Sequence, residues 1–427
     1  MSVAEARVPL RALRRDFLAV FEGLYSKADL VWVSVGRRRF LLVNGADQVR
    51  EVMIERAEEL VKPPSQTIEI GPPAAVVPGD GFPVPLFRRA LAKGLGAERI
   101  GDMLDAVAAA AATETADWRD GSRPPLMPRL RRIAIRSVCR ASFASRLADD
   151  EIAKVEGVMR WFDRKPRVTS PATRRWRRFT RHGMSEKRVM EQLASVAGSL
   201  IENADLSRPT EMSAVVRDLP AFAPSLTLED RKDVVGELLL GATGPLTQTA
   251  GWTLLRFATE ADAAEALRRE WADVLAPGEP VNRASLGGLR YTDAFVREVT
   301  RLHGTNVRIV RSAVVDTAVG REPIPARTRV ILNVNGLHRD PRLYDEPERF
   351  LPERWVDGRP SAHKFAYVAF GAGGRRCLGE TMAMVALVAL LPALTRTWDL
   401  AFADYRSSRT GRRQLAENTQ VELSIRR

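Results

Sequence analysis

Apolar residues in this chain recur mostly every three or four positions, the spacing of helices; in a few short stretches they run together as strands do. Leu30–Val35 (LVWVSV) and Phe40–Val43, joined by the basic turn GRRR, read as a strand pair. Val49, Val52, Met53 and Ala57 then share one face and predict a helix over Ala46–Ala57. Gly71–Pro85, rich in Pro and Gly, reads as a long ordered loop. From Pro85 to about Ile201 the pattern is mostly helical, and Ile133, Ile135, Val138, Cys139 and Phe143 form an apolar stripe within Leu130–Leu147. Leu228–Glu260 predicts one long helix, Ala261–Leu275 a second, stopped by Pro277 and Gly278, and Thr292–Leu302 a third. Strands are expected at Val307–Val315 and, after the turn IPARTR, at Val330–Asn333. The irregular Asp340–Pro360 segment leads to a glycine loop, an apolar helix over Gly379–Leu394 and short closing strands. The fold class is therefore mainly α with a minor β component.

At 427 residues the chain is long enough for two or three domains, or for one large fold. It has no internal repeat and no low-complexity linker. Leu238–Leu255 is its most apolar segment and contains no charge, but Gly241, Gly244, Gly251, Pro245 and several threonines interrupt it. A buried helix fits it better than a membrane span. The N-terminus, MSVAEARVPLRALRRDFLAVF, has charges every few residues and no apolar signal region, so a cytoplasmic chain with reduced thiols and no membrane anchor is expected.

Hydrophobic residues at 45% and charged residues at 28% exclude a disordered or collagen-like chain. Cys139 and Cys377 are too few for a disulfide framework, and the four histidines show no zinc-type spacing. Cys139, inside an apolar stripe, reads as a small buried hydrophobe. The net charge of +13 invites a nucleic-acid or anionic-surface reading, most of all at Arg160–Arg188, where Trp161, Phe162, Trp176 and Phe179 interleave with arginines. Because acidic residues are interspersed on helical stretches, a solvated basic face is the reading adopted, and no nucleic-acid partner is expected. A docking surface for an acidic partner is the intermediate possibility.

The chemistry concentrates in Phe370-Gly371-Ala372-Gly373-Gly374-Arg375-Arg376-Cys377-Leu378-Gly379. Glycines let the backbone turn tightly and let a flat ligand come close. Helix-start N–H groups favour the thiolate form of a cysteine placed before them. One soft thiolate without neighbouring Cys or His suits a single axial bond to a haem iron better than a tetrahedral zinc site, and an adjacent arginine can pair with a haem propionate. From these residues alone, a buried cysteine after a glycine loop, or an anion-binding loop, stays open.

The full string resembles the haem-binding loop of the cytochrome P450 family, Phe-Gly-x-Gly-x-Arg-x-Cys-x-Gly, at every fixed position. Further strings follow in the family's order. Glu298-Val299-Thr300-Arg301 is similar to its Glu-x-x-Arg, and Phe350-Leu351-Pro352-Glu353-Arg354-Trp355 to its Phe-x-Pro-x-Arg-Trp. His338-Arg339-Asp340-Pro341 and Ile324-Pro325-Ala326 fall where the family has such strings. The resemblance covers nearly the whole chain. It implies a cytochrome P450 fold as one domain over residues 1–427, with a β-containing part at about 25–80 and a helical core at about 85–305 and 361–395. It implies heme b with Cys377 as axial ligand, Arg88, Arg311, Phe370, Gly371, Arg375 and Gly379 as cofactor-binding positions, and a buried Glu298–Arg301–Arg354 network holding the cysteine loop.

Two departures stand out. In most family members the long central helix carries Ala/Gly-Gly-x-Asp/Glu-Thr, whose acid and alcohol take part in proton delivery. Here the stretch is Gly241-Ala242-Thr243-Gly244-Pro245, with Gly244 for the acid and Pro245 for the threonine. Proline has no N–H, so it frees the carbonyl of Gly241 and is expected to kink the axis. Drift in an irregular helix and altered oxygen activation both remain open. Under the second, Thr243, Gln248 or Thr249 could supply a substitute group, or substrate or ordered water could deliver protons. Peroxide could instead serve as oxidant, or a ring or bond could form without oxygen insertion. Proline here resembles peroxide-using members, although they place an arginine before it, where this chain has Gly244. Gly244, Pro245, Gln248 and Thr249 are thus the candidate catalytic positions. The second departure is Val84, four residues before Arg88, where the family has His or Trp.

The implied function is oxidation of a small organic substrate, a natural-product intermediate, with electrons from a ferredoxin and ferredoxin reductase or another donor. Residues 67–78, 241–249 and 305–309 are the expected pocket by position, and Arg375 and Arg376 are expected to face an acidic electron donor. A haem-binding protein without turnover is the competing reading.

Overall fold

The computed structural model describes residues 2–63, 88–89, 91–92, 94–164, 186–205, 207, 227–358, 360–402, 415, 417 and 419–425. The expected loop at Gly71–Pro85 and most of the basic stretch, residues 165–185, lie outside them. The chain groups into two compact units, one of Met1–Gln66, Thr115–Met127 and Pro245–Arg427, the other of Thr67–Glu114 and Pro128–Gly244.

The first unit contains a six-stranded sheet: β1 (Val3–Arg7), β2 (Leu30–Val35), β3 (Arg38–Val43), β4 (Leu60–Val61), β5 (Ile309–Ala313) and, after the separate β6–β7 hairpin (Thr317–Val319 and Glu322–Ile324), β8 (Arg329–Leu332). Its strand order is β1-β2-β3-β8-β5-β4. The expected pair β2–β3 is antiparallel, with a two-residue turn whose first residue, Gly36, has φ 59°. Apolar runs without alternation are explained by burial of both faces. Leu30, Trp32, Leu41 and Val43 pack with Val330 and Leu332, whereas Val31, Val33 and Leu42 pack with Phe17 and Phe21.

Where the elements differ from expectation, local causes are visible. β5 is shorter than Val307–Val315, and Val314 and Val315 are half exposed. The Ala46–Arg50 helix passes into a wide π-turn, Glu51–Glu55, and ends before Ala57 because Arg56 leaves helical geometry at φ −107°. β1, β4, the β6–β7 hairpin and the helices Leu10–Arg15 and Phe17–Tyr25 are additional to the sequence reading. The remaining helices of this unit are Ala261–Val274, Arg290–His303, the short turn Val334–Leu337 and Glu380–Thr395. β9 (Trp398–Phe402) and β10 (Val421–Ile425) form the closing antiparallel pair.

The second unit is helical, with Ile100–Thr115, most of Leu126–Phe143, Asp149–Arg164 and Glu186–Glu202. The last of these approaches the long helix so closely that a Cβ on Gly236 would come within 2.9 Å of Leu193. Cys139 is buried, and burial pushes its thiol far up, so the small-hydrophobe reading holds. The long helix runs unbroken over Leu228–Thr259 through Pro245, and the boundary between the units falls at Gly244–Pro245. No helix among the described residues is long and apolar enough to cross a membrane.

Candidate functional site

The site is built on the helix Arg290–His303. Glu270 fixes the start of this helix by accepting from the Tyr291 and Thr292 N–H groups and the Thr292 hydroxyl. One turn from its end, Glu298 and Arg301 pair on one face, both fully buried. Arg301 uses all five of its N–H groups. Nε and Nη2 donate to Glu298 at 2.8 and 2.7 Å, Nη2 also to the Arg349 carbonyl, and Nη1 to the carbonyls of His338 and Pro347. Glu298 in turn accepts from Arg354 Nε at 3.1 Å, Leu351 N at 3.0 Å and Trp355 Nε1 at 2.8 Å. Burial alone would raise the Glu298 carboxyl, but these donors, Arg301 foremost, hold it below the usual carboxylate range. The network is thus a fully bonded buried pair, and it pins the irregular segment around Leu351–Trp355 to the helix.

His338 joins the same helix to the cysteine loop. Its Nε2 accepts from the Val368 N–H at 3.1 Å, which leaves Nδ1–H to donate to the Arg301 carbonyl at 3.0 Å. The Tyr367 hydroxyl meets Thr300 Oγ1 at 2.5 Å. Beyond these anchors the chain turns through Gly371 (φ 74°) and Gly373 (φ 66°) into a 3-10 turn, Gly373–Arg375. Only glycine fits at 373: a Cβ there would stand 2.5 Å from the Met53 carbonyl and 2.9 Å from Ile54 Cδ1. The Cys377 N–H donates to the Phe370 carbonyl at 2.8 Å, closing the loop, and Arg376 Nε donates to Glu380 at 2.6 Å. Gly379 caps the Glu380–Thr395 helix, so the exposed cysteine stands at a helix N-terminus.

Arg311, on β5, is buried, and its Nη1 donates to the Val310 carbonyl at 3.0 Å. Burial, then the charge of nearby Arg375, bring its guanidinium down to about 10. Among the described residues no carboxylate pairs with either arginine. Two cations gathered in this way fit an anionic ligand, and an exposed cysteine two residues after Arg375 fits a soft metal. Haem offers both an iron and two carboxylates. Cys377 would hold the iron, and Arg311 and Arg375 the carboxylates. Phe370 and Gly371 shape the loop, and a Cβ on Gly379 would meet no protein atom within 4 Å. Arg88 belongs to the other unit, in a short helical stretch.

The candidate positions of the long helix divide by face. Gly241, Ala242 and Pro245 are exposed, Gly244 is half-buried, and Gln248 and Thr249 are buried one turn on. The Thr243 hydroxyl donates to the Leu239 carbonyl at 2.7 Å and lies 3.6 Å from Met159 Sδ. It is thus turned to the opposite side, away from Pro245. The oxygen of Gln248 accepts from the Leu415 N–H at 3.2 Å. These orientations depend on side-chain packing that helical spacing does not encode. Sequence reading placed Met53 on an apolar helix face and Trp355 in a motif but gave neither its observed contact, and it did not single out Tyr367; their partners lie far away along the chain.

A fully bonded buried arginine–carboxylate network, a cysteine loop tied to the same helix through His338, and a cation pair near that cysteine fit a haem-thiolate class of site. The chain belongs to the cytochrome P450 family, whose sequence profile matches residues 11–414; haem held through a cysteine thiolate is that family's cofactor. Curated relatives agree over shorter stretches. The chain is 26% identical to Cytochrome P450 71D8 of Glycine max over 207 residues, 48% of this chain and 40% of that protein. It is 29% identical to Cytochrome P450 11B1, mitochondrial, of Sus scrofa over 192 residues, 45% of this chain and 38% of that protein. It is 30% identical to the Cyclooctat-9-en-7-ol 5-monooxygenase of Streptomyces melanosporofaciens over 129 residues, 30% of this chain and 28% of that protein. The matched stretches span less than half the length of each of these relatives.

Proposed function

We propose that this chain is a haem-thiolate oxidase of a small organic molecule, a natural-product intermediate, using dioxygen and electrons from a separate ferredoxin and reductase. The observation that carries this reading is the cysteine loop, with Cys377 at a helix N-terminus and the Arg311–Arg375 pair beside it. When bound, haem supplies one-electron and dioxygen chemistry. The protein's own part is to keep the loop rigid through Glu298, Arg301 and Arg354 and to neutralise two carboxylates with Arg311 and Arg375. The Streptomyces relative, a monooxygenase named for cyclooctat-9-en-7-ol, favours a bulky cyclic substrate.

Gly244 and Pro245 replace an acid and an alcohol, Thr243 is turned away and the Gln248 oxygen is engaged. This supports chemistry that needs little proton delivery from the helix, such as oxidative ring closure or coupling, or use of peroxide. The same observation favours a second reading, a haem-binding protein without turnover. The two separate by NADPH consumption with surrogate ferredoxin and reductase, measured across a metabolite panel chosen by shifts in the haem spectrum. Substrate-dependent consumption or product formation supports the oxidase. Spectral binding with neither, with peroxide also inactive, supports the second reading.

A further inference from the structure

The cysteine loop borders a groove of about 510 Å³, and all the described residues that line it belong to the first unit. Gly371 and Gly373 form part of its wall, but Cys377, Arg375 and Arg311 do not. The groove is thus distinct from the side chains assigned to the iron and its carboxylates. A space of that size takes a small organic molecule. Tyr344, Trp355, Phe365 and Tyr367 give it an aromatic wall, and the Trp355 and Tyr367 rings stand edge to face at 4.9 Å. Such a wall suits a flat apolar body.

Most polar side chains around the groove are already engaged. Trp355 Nε1 donates to Glu298, the Tyr367 hydroxyl meets Thr300, Arg297 pairs with Asp293, and Arg376 pairs with Glu380. Two groups differ. Lys364 is exposed and has no ion pair among the described residues, so the groove keeps one uncompensated cation. The Tyr344 hydroxyl is buried and has no hydrogen-bond partner among them, although the Arg301 guanidinium lies 4.9 Å from the ring centre. Burial pushes this phenol up, so it remains a hydroxyl able to donate. An unbonded buried hydroxyl is a cost that phenylalanine would avoid in nearly the same space. A tyrosine at this place fits a ligand that brings the missing acceptor.

We propose that this groove binds a small aromatic acid, with its ring against the aromatic wall, its carboxylate on Lys364 and a second polar group accepting from the Tyr344 hydroxyl. The site goes beyond the oxidase reading and does not depend on it.

The test is calorimetric titration of the haem-loaded protein with 6-hydroxy-2-naphthoate, with 2-naphthol, which lacks the carboxylate, and with 2-naphthoate, which lacks the hydroxyl. Wild type is expected to bind 6-hydroxy-2-naphthoate about tenfold more tightly than 2-naphthol. Lys364→Glu should erase that margin, and Lys364→Arg should keep it. Tyr344→Phe should weaken 6-hydroxy-2-naphthoate about fivefold, leave 2-naphthoate unchanged, and melt no lower than wild type when ligand-free. No binding by wild type overturns the proposal. So does affinity that Lys364→Glu leaves unchanged, which is the result for an acid held elsewhere, such as at the haem. A lower melting temperature for ligand-free Tyr344→Phe makes the hydroxyl structural and equally overturns its assigned role.

Discussion

Glu298 and Arg301 stand one helical turn apart and meet through two side-by-side hydrogen bonds of 2.8 and 2.7 Å, with neither side chain exposed. Removing one partner of such a pair strands the other in a dry interior. Glu298→Ala should therefore cost about 3–5 kcal/mol and yield poorly folded, haem-free protein, read by urea melts and haem content. Normal stability would mean the network is dispensable. The acid side adds a signature. A carboxyl held below its ordinary range contributes stability that is complete above the unfolded value, about 4.5, and is lost as pH falls through the folded one. Wild-type protein should lose stability below about pH 4.5 more steeply than Glu298→Gln, which has nothing to titrate there.

Cys377→Ser should abolish the ferrous carbon monoxide spectrum of a thiolate-ligated haem, while Cys139→Ala should retain it, since Cys139 lies buried in an apolar stripe. Retention by the Cys377 variant would defeat the haem-thiolate assignment.

Arg311 separates a binding role from a structural one by the sign of its effect. Its charge is disfavoured by burial and then by Arg375. Arg311→Leu should stabilise the haem-free protein by on the order of 1 kcal/mol, yet weaken haem retention. A variant less stable without haem would mark the arginine as structural. A bound carboxylate would draw that guanidinium back up, so Arg311→Leu should lose haem to apomyoglobin faster than wild type.

Adjacent glycines should behave oppositely. At Gly373, φ is 66° and a Cβ would meet the Met53 carbonyl at 2.5 Å, so Gly373→Ala should cost about 1–3 kcal/mol and loosen the cysteine loop. A Cβ at Gly374 has no neighbour within 4 Å, and Gly374→Ala should fall within about 0.5 kcal/mol of wild type. Thermal melts and haem content check both.

Replacing Gly244 by Asp together with Pro245 by Thr restores the family pair on the long helix. It should alter the coupling of NADPH consumption to product, or the product itself. An unchanged outcome would assign the natural substitution to drift.

Much of the fold was legible because its signals are local. Both faces of β2 and β3 are buried, so unbroken apolar runs marked them, and Glu298 and Arg301 lie within one turn. What remained hidden depends on partners distant in sequence. β1 alternates exposed and half-buried residues at a sheet edge, and its charged positions obscured it. The inward turn of Thr243 is set by packing near Met159, and the engagement of Gln248 by the backbone of Leu415. The π-turn at Glu51–Glu55 keeps the apolar spacing of an ordinary helix, so its extra residue per turn leaves no mark in the pattern.

That π-turn bears on biosynthesis. It holds Met53 and Ile54, the seat against which Gly373 rests, whereas Cys377 lies more than three hundred residues downstream. During translation the seat leaves the ribosome more than three hundred residues before its loop arrives. Cys377 would take up pigment only after that interval, and nascent chains arrested before residue 373 should emerge colourless however well their earlier strands have formed.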